Sequence, residues 1–394
     1  MLKIIQKYGA LLFLINAILI EYTFNLSSIH EWISYILCGY GVLFIMVYPK
    51  QIFSSTTFQN FKVIFYVLLI NSIYLITFGI ETINEANIFY YLAKFGSLIL
   101  IVFSIMKNPV YFNGKFLNSY ISFIAALFIF GILIRNVDMD SGRLAFGFNN
   151  SNLAGMLASS CFGIAILSQK IISKKHILFA LFFIIIVLLT GSRTSFLIVV
   201  LALVFKYKFK IYYYLLGLVL IISINIFFNI GGSNNALDRL LETTINSEGK
   251  ISTGREIEYD FALVRLKAKL LTGNGFMSYK NFDANEYHYF SEREPYGSHN
   301  AYLTIGIMYG VFFGGILIFV ILKTAFRGVK KYYVYDSKFT VHVFIVIAVL
   351  LTAMTEDLIV GINQVISYLF FISVSIVGVG LRSVDLKKIK TLKN

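Results

Sequence analysis

Arg143, Arg193 and Arg255 each stand in a patch of glycine, serine, threonine or asparagine beside an apolar run. A guanidinium is permanently charged and presents a planar fork of donors that matches phosphate oxygens, and small neighbours leave room for such a ligand. The first patch runs Gly142-Arg143-Leu144-Ala145-Phe146-Gly147-Phe148-Asn149-Asn150-Ser151-Asn152, the second Thr190-Gly191-Ser192-Arg193-Thr194-Ser195, and the third is Thr253-Gly254-Arg255. A fourth constellation, Gly297-Ser298-His299-Asn300, opens another apolar run. A neutral imidazole there is able to take a proton from a hydroxyl nucleophile. Each residue also has a plainer reading: Arg193 reaching to lipid headgroups, Arg255 pairing with Glu258 or Asp260, His299 and Asn300 finishing a helix end.

The elements that must position these residues follow from hydropathy. With 58% hydrophobic and only 14% charged residues among 394 and a mean hydropathy of +0.77, the composition excludes an ordinary soluble globule. It reads as an all-α, polytopic membrane protein. Apolar stretches near the roughly 20 residues that span a bilayer number about twelve. They fall at Tyr8 to Phe24, Trp32 to Tyr48, Phe61 to Ile80, Phe89 to Met106, Leu117 to Ile134, Leu153 to Ser168, His176 to Thr190, Ser195 to Phe205, Ile211 to Phe228, Ala301 to Leu322, Phe339 to Met354 and Leu358 to Gly380. Cys38 and Cys161 both lie within these stretches, so they read as small packing residues, with no disulfide framework or metal-ligand spacing.

Alternate connections differ in charge. Lys50 and Lys62, Lys107 and Lys115, Lys206 and Lys208, and the tail from Arg382 to Lys393 share one side with almost no acids, which makes that side cytoplasmic and places both termini inside. The formal net charge of +14 is therefore a topology signal, and no nucleic-acid partner is implied. The organisation expected is a bundle of about nine helices over 1–229, a large outer loop over 230–298, about three helices over 299–380 and a basic cytoplasmic tail over 381–394. Within the loop, Thr253 with Glu256 makes a capping box, Ile257, Phe261, Val264, Ala268 and Leu271 recur at helical spacing, and Gly273 ends the run. That pattern predicts an amphipathic helix. Beyond Gly273-Asn274-Gly275, Asp283, Glu286 and His288 lie among tyrosines, a mixture that suits sugar rings as well as a solvated loop.

The succession of Gly-Arg with an Asn-rich run into a helix, Thr190-Gly191-Ser192-Arg193 between two helices, Thr253-Gly254-Arg255, Gly273-x-Gly275 and His299-Asn300 resembles the O-antigen ligase and polysaccharide polymerase family. The family continues after its His-Asn pair with nine residues, a glycine, two residues and a small or Tyr/Thr position. Gly310 falls on schedule, whereas Phe313 takes the last place and Gly314 follows it. The resemblance implies a glycosyltransferase of the GT-C-like membrane fold in the bacterial plasma membrane, working on its outer face. It implies His299, Arg193 and Arg255 as catalytic residues, and Arg143, Asn150, Asn152, Ser192 and Asn300 as substrate-binding ones, with no metal and no cofactor. Glu356 and Asp357, at another outer helix end, are the reserve for the general base. The implied partners are an undecaprenyl-diphosphate-linked glycan donor, a glycan acceptor and membrane lipid, with a chain-length regulator by pathway analogy.

The function expected is a polymerase that joins lipid-linked repeat units of O-antigen, capsular or exopolysaccharide. The alternative within the family is a ligase that moves the finished glycan to a lipid A core. A flippase or transporter is the alternative of another class. Transporters place ionisable residues at mid-membrane and repeat their halves, whereas here Lys94 is the intramembrane charge and the halves do not resemble each other.

Overall fold

The computed structural model describes residues 2–22, 27–78, 85–133, 139–140, 143–169, 172–208, 256–276, 298–333, 339–359 and 364–393. Its elements are α1 (Leu2–Glu21), α2 (Ser27–Val47), two short helices α3 (Pro49–Ile52) and α4 (Ser55–Asn60), α5 (Lys62–Phe78), α6 (Glu85–Lys107), α7 (Phe116–Leu133), α8 (Ser151–Leu167), α9 (Lys174–Thr190), α10 (Arg193–Tyr207), α11 (Glu256–Ala268), α12 (Ala301–Gly328), α13 (Thr340–Thr352) and α14 (Val365–Lys393). A ribbon of two-residue strands, β1 (Met139–Asp140) and β2 (Arg143–Leu144), pairs antiparallel with Asp140 opposite Arg143. Six helices within the described residues are long and apolar enough to cross a membrane, and Lys62–Phe78, Ser151–Leu167 and Thr340–Thr352 are shorter apolar ones. The stretch expected at Ile211 to Phe228 lies outside the described residues.

Burial orders these helices from centre to rim. The apolar stretches of α14 and α6 are 83% and 72% buried, that of α2 only 28%, so α14 and α6 form the interior while Trp32, Ile36 and Met46 of α2 face outward. Close helix approach rests on small residues, because apolar side chains gain nothing by leaving lipid for protein. A Cβ at Gly41 of α2 would meet the carbonyl of Gly96 in α6, and one at Gly96 would meet that of Cys38. Cys38 and Cys161 are buried free thiols.

The most consequential local feature is a break in α12. Gly310 has φ 71° and ψ 171° inside an otherwise helical run, so the hydrogen bonds across it are lost. In lipid an unsatisfied backbone group costs several kcal/mol, and the broken bonds find new partners in the Gly273-Asn274-Gly275 turn. Ile307 O accepts from Asn274 N at 2.7 Å, Met308 O accepts from Gly275 N at 3.1 Å, and Val311 N donates to Leu270 O at 2.8 Å. The Tyr74 hydroxyl adds a second bond to Met308 O at 2.7 Å, and the Asn274 amide ties Ile307 O to Arg265 O in α11. Gly273, at φ 72°, fits only without a side chain, since a Cβ would meet the backbone of Met308 and Gly310. Phe276 then fills the space among Tyr74, Tyr90 and Tyr309. Phe313 packs at 5.7 Å from both Tyr74 and Phe78, which gives the unexpected bulky residue its place.

Two sequence expectations need correction. The last helix begins at Val365, not near Leu358, because Leu358 and Ile359 are buried in a turn and hydropathy reads a buried turn as helix. Helix α11 is present, but its sheltered face is Glu258, Phe261 and Ala262, while Val264 and Leu271 are exposed. It packs on α12, where Leu266 approaches Gly306, so its orientation follows that contact and the Asn274 turn more than its hydrophobic spacing.

A Gly310→Ala substitution should lower stability by more than about 2 kcal/mol, from left-handed strain and overpacking together. Gly315→Ala, where a Cβ meets nothing within 4 Å, should leave the unfolding midpoint in detergent unchanged. Equal midpoints for the two variants would contradict the role given to the break.

Candidate functional site

Three helices begin at one place. Asn150 caps α8, its side-chain oxygen accepting from Asn152 N at 2.7 Å. Ser192 caps α10, accepting from Ser195 N at 3.4 Å and from the Ser195 hydroxyl at 2.8 Å. Asn300 caps α12, accepting from Tyr302 N at 3.0 Å and Leu303 N at 3.2 Å. Asparagine and serine suit these positions because their short side chains satisfy N–H groups that the first helical turn leaves open.

The first turn of each helix touches the segment that follows α13. Asn152 donates through Nδ2 to Glu356 Oε1 at 3.2 Å. The Thr194 hydroxyl lies 3.2 Å from that of Thr355. Ala301 N donates to Ala353 O at 2.8 Å, so the start of α12 is docked on the end of α13. Thr304 donates to Asp357 Oδ1 at 2.6 Å, and the Ser298 hydroxyl lies 2.6 Å from Thr304 Oγ1 and 3.2 Å from Asp357 Oδ1. Ser298 and Thr304 are both 2% exposed, so Asp357 holds a buried hydroxyl pair and through it the turn before α12.

His299 sits between those anchors at φ 46°. This left-handed conformation costs a side-chain-bearing residue about 1–2 kcal/mol and persists because Ser298 and Asn300 on either side are bonded in place. Its Nδ1 lies 3.9 Å from Glu356 Oε2, too long for a direct hydrogen bond. The Glu356 carboxylate therefore faces Asn152 with one oxygen and His299 with the other. The segment is also tied from below. Lys94 Nζ donates to Ile359 O at 3.3 Å and lies 4.8 Å over the ring of Phe371, and the Ser367 hydroxyl bonds Leu358 O.

Arg193 is exposed at the first position of α10, between the buried Ser192 and the half-buried Thr194. The turn before it is closed by Gly191 at φ 59° and pressed against α8, where a Cβ on Gly155 would come within 2.6 Å of Ser195 Oγ and 2.7 Å of Thr190 Oγ1. The backbone of Arg143 is fixed by β2, and the run after it is pinned to the end of α1 by Asn149 N donating to Glu21 O at 2.9 Å and by the Tyr22–Phe148 bridge. Arg255, the side chain of Arg143, and Asp283, Glu286 and His288 lie outside the described residues. Among the described residues no group of three or more His, Cys, Asp or Glu side chains is placed to hold a metal ion.

Chemically, the arrangement is an imidazole and a guanidinium beside three helix N-termini, each carrying a partial positive charge that favours an anion. A family model described as O-antigen ligase matches residues 178–320, which takes in Arg193, Arg255 and His299. Over those residues the chain is similar to the O-antigen ligase family. No curated protein matches the chain. Asn152, Glu356 and Asp357 come from outside the matched segment, so these contacts link that segment to α8 and to the end of α13. The sequence had named Glu356 and Asp357 only as a reserve pair. Their separate jobs, Glu356 turned to His299 and Asp357 to Ser298, have no signal in the sequence, since adjacent carboxylates look alike there.

Asp357→Ala should cost about 1–3 kcal/mol by leaving buried hydroxyls without their acceptor. Glu356→Gln, which keeps size and the contact with Asn152, should change stability by less than about 0.5 kcal/mol. Thermal unfolding of both purified variants checks this, and a larger loss for Glu356→Gln would contradict the assignment.

Proposed function

We propose that this chain is a polymerase that joins undecaprenyl-diphosphate-linked oligosaccharide repeat units into O-antigen, capsular or exopolysaccharide on the outer face of the bacterial plasma membrane. The family domain supports an O-antigen ligase or polymerase type of glycosyl transfer within a membrane protein. The observation that carries the reading is the meeting of Asn152, Thr194 and His299 around Thr355-Glu356 at the start of three helices.

In the proposed reaction, an acceptor hydroxyl attacks the anomeric carbon of the donor, the bond from that carbon to the diphosphate oxygen breaks, and polyprenyl diphosphate departs. His299 takes the hydroxyl proton. Its Nδ1 faces Glu356, so Nε2 is the nitrogen assigned to the substrate, and Glu356 stabilises the imidazolium once formed. Arg193, with Arg255 and Arg143, holds the diphosphate and offsets the charge that develops on it, as fixed cations do in other transfers. Asn150, Asn152, Ser192 and Asn300, at the starts of the same three helices, are assigned to substrate binding. The leaving group already carries its activation, so no nucleotide or metal is invoked.

The polymerase is preferred to the ligase because Phe313 stands where the ligase pattern has a small or Tyr/Thr residue, and it packs against Tyr74 and Phe78. The ligase reading rests on the description of the matched family.

Purified protein supplied with a lipid-linked repeat unit alone should yield a polymer ladder and free polyprenyl diphosphate. His299→Ala should lower the rate by about 100-fold or more, and Arg193→Ala should do likewise with the protein still inserted. Wild-type ladders from both variants would sink the mechanism. Transfer seen only when lipid A core is added would make the chain a ligase, and translocation without transfer a flippase.

A further inference from the structure

The end of the bundle opposite His299 carries a second constellation of cations. There α4, α5, α12 and α14 enclose a cleft of about 250 Å³. Lys62 at the start of α5, Arg327 in the last turn of α12 and Arg382 on α14 line it together with Asn60, Thr324 and Ser375, and no carboxylate is among the described residues that line it. Like charges that line one cleft repel one another, and a bound anion relieves that repulsion.

Arg382 is held ready for a ligand. It is half-buried, and its Nη1 donates both to Thr56 O at 2.7 Å and to Asn60 Oδ1 at 2.9 Å. Both bonds use one nitrogen. Among the described residues Nη2 and Nε make no hydrogen bond, and Lys62 makes no hydrogen bond or ion pair. A guanidinium fixed on one side and open on the other is the arrangement that binds phosphate oxygens two at a time. Gly378 keeps the wall thin, since a Cβ there would lie 2.8 Å from Asn60 O.

The position of the cleft narrows the ligand. It opens where the apolar runs of α5, α12 and α14 end, the level of lipid headgroups. Phe326 and Tyr66, on the neighbouring surfaces of α12 and α5, are 70% and 37% exposed, which offers acyl chains an aromatic border. We propose that this cleft is a phosphate-binding site that holds the headgroup of an anionic phospholipid in the leaflet opposite the His299 site. The bound lipid ties α4 and α5 to α14, so its occupancy is linked to the stability of the whole bundle.

Native mass spectrometry and thermal unfolding of the purified full chain test this, with phosphatidylglycerol, phosphatidylcholine and inorganic phosphate as separate probes. Phosphatidylglycerol should be retained and should raise the unfolding midpoint, while phosphatidylcholine and millimolar inorganic phosphate should not. The double substitution Lys62→Gln, Arg382→Gln should weaken phosphatidylglycerol binding by about tenfold or more. Arg382→Lys, which keeps the charge and loses the fork, should fall between, and it serves where the double variant folds poorly. Equal retention of the two lipids, or retention unaltered in the variants, would overturn the proposal. Protection by inorganic phosphate alone would overturn the lipid assignment.

Discussion

A helix that begins inside a membrane protein must dispose of N–H groups that have no partner within the helix, and at this site three helices do so together. The start of α12 gives one N–H to the carbonyl that ends α13, two to Asn300, and anchors its first turn on Asp357. The starts of α8 and α10 reach the next two residues of the same segment, Glu356 and Thr355. Everything that makes the site follows from this junction. It sets the left-handed turn that presents His299, the position of Glu356 beside it, and a field that favours an anion. The two carboxylates at the junction temper that field.

The break in α12 is the counterpart of that junction. A continuous α12 would need no partner from elsewhere; the broken one takes its missing partners from the turn after α11. The same hydrogen bonds therefore repair a helix within the bundle and fix the C-terminal end of α11, the helix that follows Arg255. Gly273 and Gly310 pass too close for any side chain, and the ring cluster around Phe276 seals the contact. The turn at Gly273-Asn274-Gly275 and Phe276 are in this way built into the bundle, although they read as part of a hydrophilic connection.

Much of this was legible because membrane helices obey simple rules. Length and hydropathy located α5, α7, α8, α9, α10 and α13 closely and the ends of α1, α2, α12 and α14 less so, and the Asn150, Ser192 and Asn300 caps lie where short polar residues precede apolar runs. Hydropathy failed where a buried segment is not helical, as at Leu358 and Ile359. It also failed for α11, whose sheltered face depends on a neighbour. Lys94 was legible as an intramembrane charge, but its partner is a backbone carbonyl over 260 positions away, and a carbonyl leaves no mark in a sequence. The pairing of Glu356 with His299 and Asn152 is lost to sequence reading for a similar reason. Side-chain chemistry names the candidates, and only the docking of helix ends decides which of them meet.

The central claim is that the diphosphate of a lipid-linked glycan rests at the shared start of α8, α10 and α12. The most direct measurement is a structure of the protein with a lipid-linked repeat unit bound. The account predicts phosphate oxygens within hydrogen-bonding reach of the Arg193 guanidinium, with His299 Nε2 facing the position an attacking hydroxyl takes at the anomeric carbon. A diphosphate seated away from Arg193, or a glycan whose reacting carbon lies out of reach of His299, would contradict it.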